Sequence, residues 1–169
     1  MEIISAGIFG PKLSGKTTLA KALSNQFWVK QRKRSLVLDP NLEQWGNHSW
    51  VTDNEESFWR VVWGSQYMVV IVEESAETIN RDKGLINVFT RLRHNHHKLL
   101  VIGHSGVNLL PIMREQLDTI FLFRQSEKAA AYWAETFAEK GLLQAAELNQ
   151  FEFLRCHMFT KPQRLKLQL

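Results

Sequence analysis

Residues 10–18, GPKLSGKTT, constrain this chain more than any other stretch. Gly10, Gly15, Lys16 and Thr17 complete the pattern G-x-x-x-x-G-K-[ST] without a departure. The pattern needs glycine because the backbone must curl around a phosphate, turning N–H groups inward at dihedrals that side chains resist. Lys16 is placed to reach the β- and γ-phosphates, and the Thr17 hydroxyl to ligate Mg²⁺. An apolar run, EIISAGIF (2–9), precedes the loop, and a helical pattern, TTLAKALSNQFWVKQ (17–31), follows it. That helix turns its positive dipole end toward the same anion. The whole loop is the expected binding segment: Gly10, Pro11, Lys12, Leu13, Ser14, Gly15, Lys16, Thr17 and Thr18.

Strand-like runs continue to alternate with helical ones. SLVLD (35–39), YMVVIVEE (67–74), KLLVIGH (98–104) and TIFLFR (119–124) read as strands. EESFWRVVWG (55–64), LINVFTRLRHN (85–95), VNLLPIMREQL (107–117, broken near Pro111) and the alanine-rich stretch after residue 126 read as helices, and FEFLRCHMF (151–159) as a last strand. Such alternation predicts an α/β fold, a mainly parallel sheet covered by helices on both faces. No repeat or Pro/Gly-rich linker interrupts it, so a single domain is expected over 1–169, with a short C-terminal tail from about 160. The 169 residues carry a net charge of +4, which tolerates a polyanionic partner without demanding one. No apolar run reaches the ~20 residues needed to span a bilayer, and MEIISAGIFG lacks the basic start of a signal peptide. One cysteine, Cys156, excludes an internal disulfide framework and suits a reducing compartment.

Glu73 and Glu74 close the run VVIVEE. A first carboxylate at a strand end can hold the Mg²⁺ shell, and a second can act as general base toward water. Other motifs are more ambiguous. HNHH (94–97) reads as a polar turn rather than a tetrahedral metal set. KQRKR (30–34) is either a solvated loop or a contact for a nucleic-acid backbone. Trp45, Trp50, Trp59 and Trp63 could stack on bases, but Trp59 and Trp63 lie four apart on one helix face and suit packing better.

The ordered set GPKLSGKTT, LVLDPN, VVIVEE, TRLRHNHHKLLVIGHS and IFLFRQSEKAAAYW resembles the FtsK–HerA class of P-loop ATPases. The likeness spans roughly residues 2–140 and is strongest to small viral genome-packaging ATPases. It implies a three-layer P-loop NTPase sandwich of the RecA/ASCE kind with strand order 5-1-4-3-2, and an enzyme that hydrolyses ATP with Mg²⁺. It also implies Glu73 with Thr17 on the metal side, Glu74 as the catalytic acid, and Arg93 as a finger completing a neighbour's site, with Arg91 and Arg114 as rivals. The class more often has Asp where Glu73 stands. It often has Gln as the γ-phosphate sensor where this chain reads VIGHS, so that role passes to His104 or Ser105. NRDKG (80–84) falls where ring translocases project a pore loop. The implied partners are double-stranded DNA bound without sequence preference, a pentameric or hexameric ring of like subunits, and a capsid vertex protein. The implied location is the host cytoplasm or the virion. Two other readings stay open: a small-molecule P-loop kinase, and an assembly or secretion ATPase of filamentous virus particles.

Overall fold

The computed structural model describes residues 2–73 and 88–168. Six strands run parallel: β1 (Ser5–Phe9), β2 (Ser35–Leu38), β3 (Ser49–Thr52), β4 (Val69–Val72), β5 (Lys98–Gly103) and β6 (Thr119–Phe123). Two antiparallel strands, β7 (Glu152–His157) and β8 (Gln163–Lys166), extend one edge. The order is β3-β2-β4-β5-β1-β6-β7-β8. The first five of the six strands expected from the sequence fall in the order 5-1-4-3-2, and the sixth is β7; the sheet departs from the expected order in having β3 outside β2 and β7–β8 outside β6.

The central strands are continuous apolar runs because both of their faces are covered. Along β4, Val70 and Val72 face one core while Val69 and Ile71 face the other. Along β5, Leu99 and Val101 alternate with Leu100 and Ile102 in the same way. One face is covered by α1 (Lys16–Gln31), which contributes Leu19, Ala20 and Phe27. The other is covered by α2 (Glu55–Trp63), α3 (Val88–His94), α4 (Pro111–Arg114), α5 (Glu127–Thr136) and a 3-10 segment, Lys140–Glu147. Trp133 of α5 is wholly buried, stacks on Phe9 at 5.0 Å, and donates from Nε1 to the Ser105 carbonyl at 2.7 Å.

The helix expected over 107–117 shortens to Pro111–Arg114. Pro111 sits at the start of that turn, where its missing N–H costs nothing. Upstream, Gly106 at φ 69 lies against Phe9 and Trp133 and bends the chain away from helical dihedrals. The tryptophans pack rather than reach for bases. Trp45 is buried and Trp59 stacks on Trp63 at 5.4 Å, while Trp50, on the edge strand β3, is the one of the four that stays exposed.

Candidate nucleotide site

Parallel strands point their C-terminal ends in one direction, and α/β sheets bind ligands in the crevice there. In this chain that end carries the glycine loop between β1 and α1. Gly10 donates its N–H to the Gly103 carbonyl at 3.2 Å, tying the loop to β5. A Cβ on Gly10 would lie 2.5 Å from the Phe123 Cβ. Gly15 caps α1 at φ 104, and a Cβ there would meet Leu167 at 2.4 Å. Gly10 is held by lack of room for a side chain and Gly15 by its left-handed φ, which side chains resist. Inside the curl the Ser14 hydroxyl is buried and has no hydrogen-bond partner among the described residues. The Lys16 ammonium bends back to donate to the Pro11 carbonyl at 2.8 Å.

The loop borders a cleft of about 1070 Å³. Lys16 and Thr17 line it on one side, and Asn41, Glu43 and Glu73 on the other. The Thr17 hydroxyl donates to Glu73 Oε1 at 2.5 Å, and Glu73 Oε2 is buried with no partner among the described residues. Burial is the main reason the Glu73 carboxyl is pushed up to about 7; the nearby charges of Asp39 and Glu43 add to it, against the opposing Thr17 hydrogen bond. Asp39 behaves oppositely. Burial opposes its charge most strongly, yet hydrogen bonds from Trp45 Nε1 and the amides of Asn41 and Glu43, at 2.8–3.0 Å, together hold its carboxyl below the ordinary range.

Oxygens of Asp39, Glu43 and Glu73 lie within 4.8 Å of one another. Among the described residues this is the one grouping of acids, histidines and cysteines with metal-ligand spacing. An orphaned buried carboxylate oxygen beside a threonine hydroxyl is a donor set that fits a hard cation such as Mg²⁺. The residues present fit that ion.

The position of Glu73 gives a pH-dependent outcome. Its ordinary value is 4.5 and its folded value about 7, so the folded chain holds the proton more tightly. Metal-free stability therefore falls as pH rises from the first value through the second. Glu73→Gln keeps the shape and stays neutral. Its Tm should match that of the parent chain at low pH and exceed it increasingly across that window. A Tm difference that is constant with pH would contradict the assignment.

His104 follows β5, the strand beside β1, and is exposed at the cleft's end of the sheet. Arg93 is also exposed, but its guanidinium donates to the Gln116 carbonyl at 3.3 Å, just before β6. That is the N-terminal end of the strands, so the structure does not bring Arg93 to its own chain's loop. Arg91 lies over the Trp63 ring at 4.4 Å. Arg114 is buried against Tyr132 at 4.2 Å, which leaves it no reach toward another subunit. Arg124, exposed directly after β6, is an arginine at the cleft's own end that sequence reasoning passed over. Glu74 and the segment 80–84 lie outside the described residues. In HNHH, His97 is structural: it is buried between the Met68 amide and the Val62 carbonyl, each at 3.1 Å.

No protein-family model matches the sequence, and no curated protein matches it. Solved structures do. The genome-packaging NTPase B204 of Sulfolobus turreted icosahedral virus 2, in its sulfate complex, superposes with a TM-score of 0.84 at 18% identity, covering 100% of this chain and 99% of that one. Its AMPPCP complex gives 0.82 at 17% identity with 100% of both chains covered. This chain has the fold of a viral genome-packaging NTPase. The N-terminal domain of zonular occludens toxin from Neisseria meningitidis is a more distant likeness, with a TM-score of 0.59 at 12% identity, covering 100% of this chain and 95% of that one. The packaging-NTPase fold matches along the entire length of this chain, including β7 and β8, which lie beyond the motif-bearing region.

Proposed function

We propose that the chain is an ATP-hydrolysing motor subunit that moves double-stranded DNA, as in filling a viral capsid. The observation that carries this is the pairing of Thr17 with a buried, half-satisfied Glu73 across a phosphate loop. The reading also draws on the full-length likeness to a packaging NTPase bound to an ATP analogue. Lys16, the loop amides and Ser14 hold the phosphates of ATP, and Thr17 with Glu73 holds Mg²⁺. When bound, the ion would offset phosphate charge. Asp39 keeps its charge beside Glu73 and raises the local demand for a cation. Glu74 takes the proton from the attacking water, and His104 senses the γ-phosphate from the end of β5.

The working unit is a ring of like subunits, pentameric or hexameric, in which an arginine of one subunit completes the site of the next. Arg93 is the arginine that the resemblance implies, and it can act only in trans. Arg124 is the alternative at the cleft's own end. A capsid vertex protein as docking partner, and a place in the host cytoplasm or virion, belong to the same reading. Among the described residues no helix is long and apolar enough to cross a membrane.

Phosphate release from Mg·ATP, measured with and without random-sequence duplex DNA, tests this reading. DNA should raise turnover several-fold, and the increase should fade as salt rises, because phosphate contacts release counterions. Turnover unmoved by DNA but raised by a nucleoside monophosphate would instead favour a small-molecule kinase.

A further inference from the structure

The pole opposite the nucleotide cleft brings together two motifs that are distant in sequence. The basic run KQRKR ends α1 and leads into β2, while HNHH ends α3 and leads into β5. Both turns therefore lie at the N-terminal ends of the parallel strands. There, Lys33 sits over the Tyr67 ring at 5.3 Å, and the same ring stacks on His96 at 4.9 Å with the planes 6° apart. Arg32 is placed in the same fashion over Trp28 at 5.4 Å. Arg32, Tyr67 and His96 all hold left-handed backbone, with φ of 55, 61 and 57. For Arg32 this is the left-handed cap that ends α1.

The acids of this pole are already committed. Glu2 pairs with Lys98 at 2.9 Å, and Asp118 accepts the amides of Ile4 and Ser5 at 2.9 and 2.8 Å. Among the described residues Arg32, Lys33 and Arg34 have no ion pair. Lys33 is also crowded: burial first, and then the Lys98 charge, push its ammonium down against the opposing charge of Glu2. A shallow groove of about 510 Å³ lies beside Lys33, Tyr67 and His96, with Glu2 and Asp118 also on its wall. Cations held over rings beside an open groove, where Glu2 is already paired with Lys98, suit a diffuse polyanion.

We propose that this pole, centred on Arg32, Lys33, Arg34, Tyr67 and His96, is a contact surface for the phosphate backbone of duplex DNA. The inference rests on the motor reading for its partner but places that partner on the far side of the sheet from ATP. Rings and cations on this surface fix the strand's path without reading bases, so binding is independent of sequence.

The test uses fluorescence anisotropy with a random-sequence duplex across a salt series. It compares the parent chain, Arg32→Glu/Lys33→Glu/Arg34→Glu, and a control of similar sign, Lys128→Glu/Lys166→Glu, whose residues are exposed near the other end of the sheet. A triple glutamine variant at 32–34 serves if the glutamates impair folding, and Mg·ATP binding is measured on every variant. The pole variant should bind DNA at least 30-fold more weakly at low salt. Its log–log salt slope should be shallower by about two to three, roughly one per lost contact. ATP binding should be unchanged and the control close to parent. DNA binding equal to that of the parent chain, or an equal loss in the control, would overturn the proposal. So would intact DNA binding with lost salt-sensitive self-association, which gives the surface to a second copy of this chain. Loss of Mg·ATP binding in the parent chain itself would instead fault the motor reading, since the DNA measurement contains no nucleotide.

Discussion

Replacing Lys16 by alanine is expected to lower Mg·ATP affinity by about 100-fold, the scale of a hydrogen bond made by a charged group to phosphate oxygens. The Lys16 ammonium lies folded into the loop, on the Pro11 carbonyl, so it has only to swing outward to meet the β- and γ-phosphates. Lys12 provides the contrast. It stands on the same loop and lines the same cleft but is exposed, so Lys12→Ala removes a charge without removing a converging donor. Calorimetry on both variants separates the two cases. A large loss at Lys16 with little at Lys12 fits the phosphate-loop account, and equal losses would reduce the loop to a generally positive surface.

The second large effect concerns the arginine supplied by a neighbour. A finger that stabilises charge on the transferred phosphoryl group contributes about 10³–10⁵ in rate. Arg93→Ala should therefore bind ATP normally and turn it over slower by that order. Because the guanidinium lies at the end of the sheet away from its own loop, the deficit must arise between subunits. Mixing Arg93→Ala with Glu74→Gln, each nearly inactive alone, should restore measurable turnover at shared interfaces. Specific activity of the parent chain should also rise faster than linearly with protein concentration. If the Arg93 variant keeps full turnover while Arg124→Ala loses it and is rescued by mixing, the finger belongs to Arg124. If neither variant loses turnover, the trans model fails.

The phosphate loop was legible because its chemistry is local: two glycines, a lysine and a threonine at fixed spacing between a strand and a helix. Glu73 was legible for the same reason, as an acid closing an apolar run. Asp39 was not. Its role depends on the pairing of β2 with β4, which sets Leu38 opposite Val72 and so brings the residues that follow them side by side. No local pattern announces that two carboxylates forming one site will meet across a sheet, although LVLDP after the second strand marked the place.

The edge strands were harder to read than the central ones. β3 is four residues long, SWVT, and only partly buried, so its apolar signal is weak. β8, QRLK, is exposed along its whole length and is held by backbone pairing to β7 and by the Arg164–Glu152 ion pair rather than by buried apolar side chains. The arginines were legible as residue types but not as positions. Arg114 looked available on a helical pattern, yet the fold buries it on Tyr132; Arg124 looked like the end of a strand, and the fold leaves it exposed directly after β6.

The central claim is that hydrolysis is coupled to movement along duplex DNA. Displacement of a triplex-forming oligonucleotide from a long duplex tests it directly, because a motor moving along the duplex strips the third strand and a stationary ATPase does not. The account predicts release of the third strand with Mg·ATP, none with a non-hydrolysable analogue, and none with Glu74→Gln. Robust DNA-stimulated hydrolysis with the triplex left intact would contradict it.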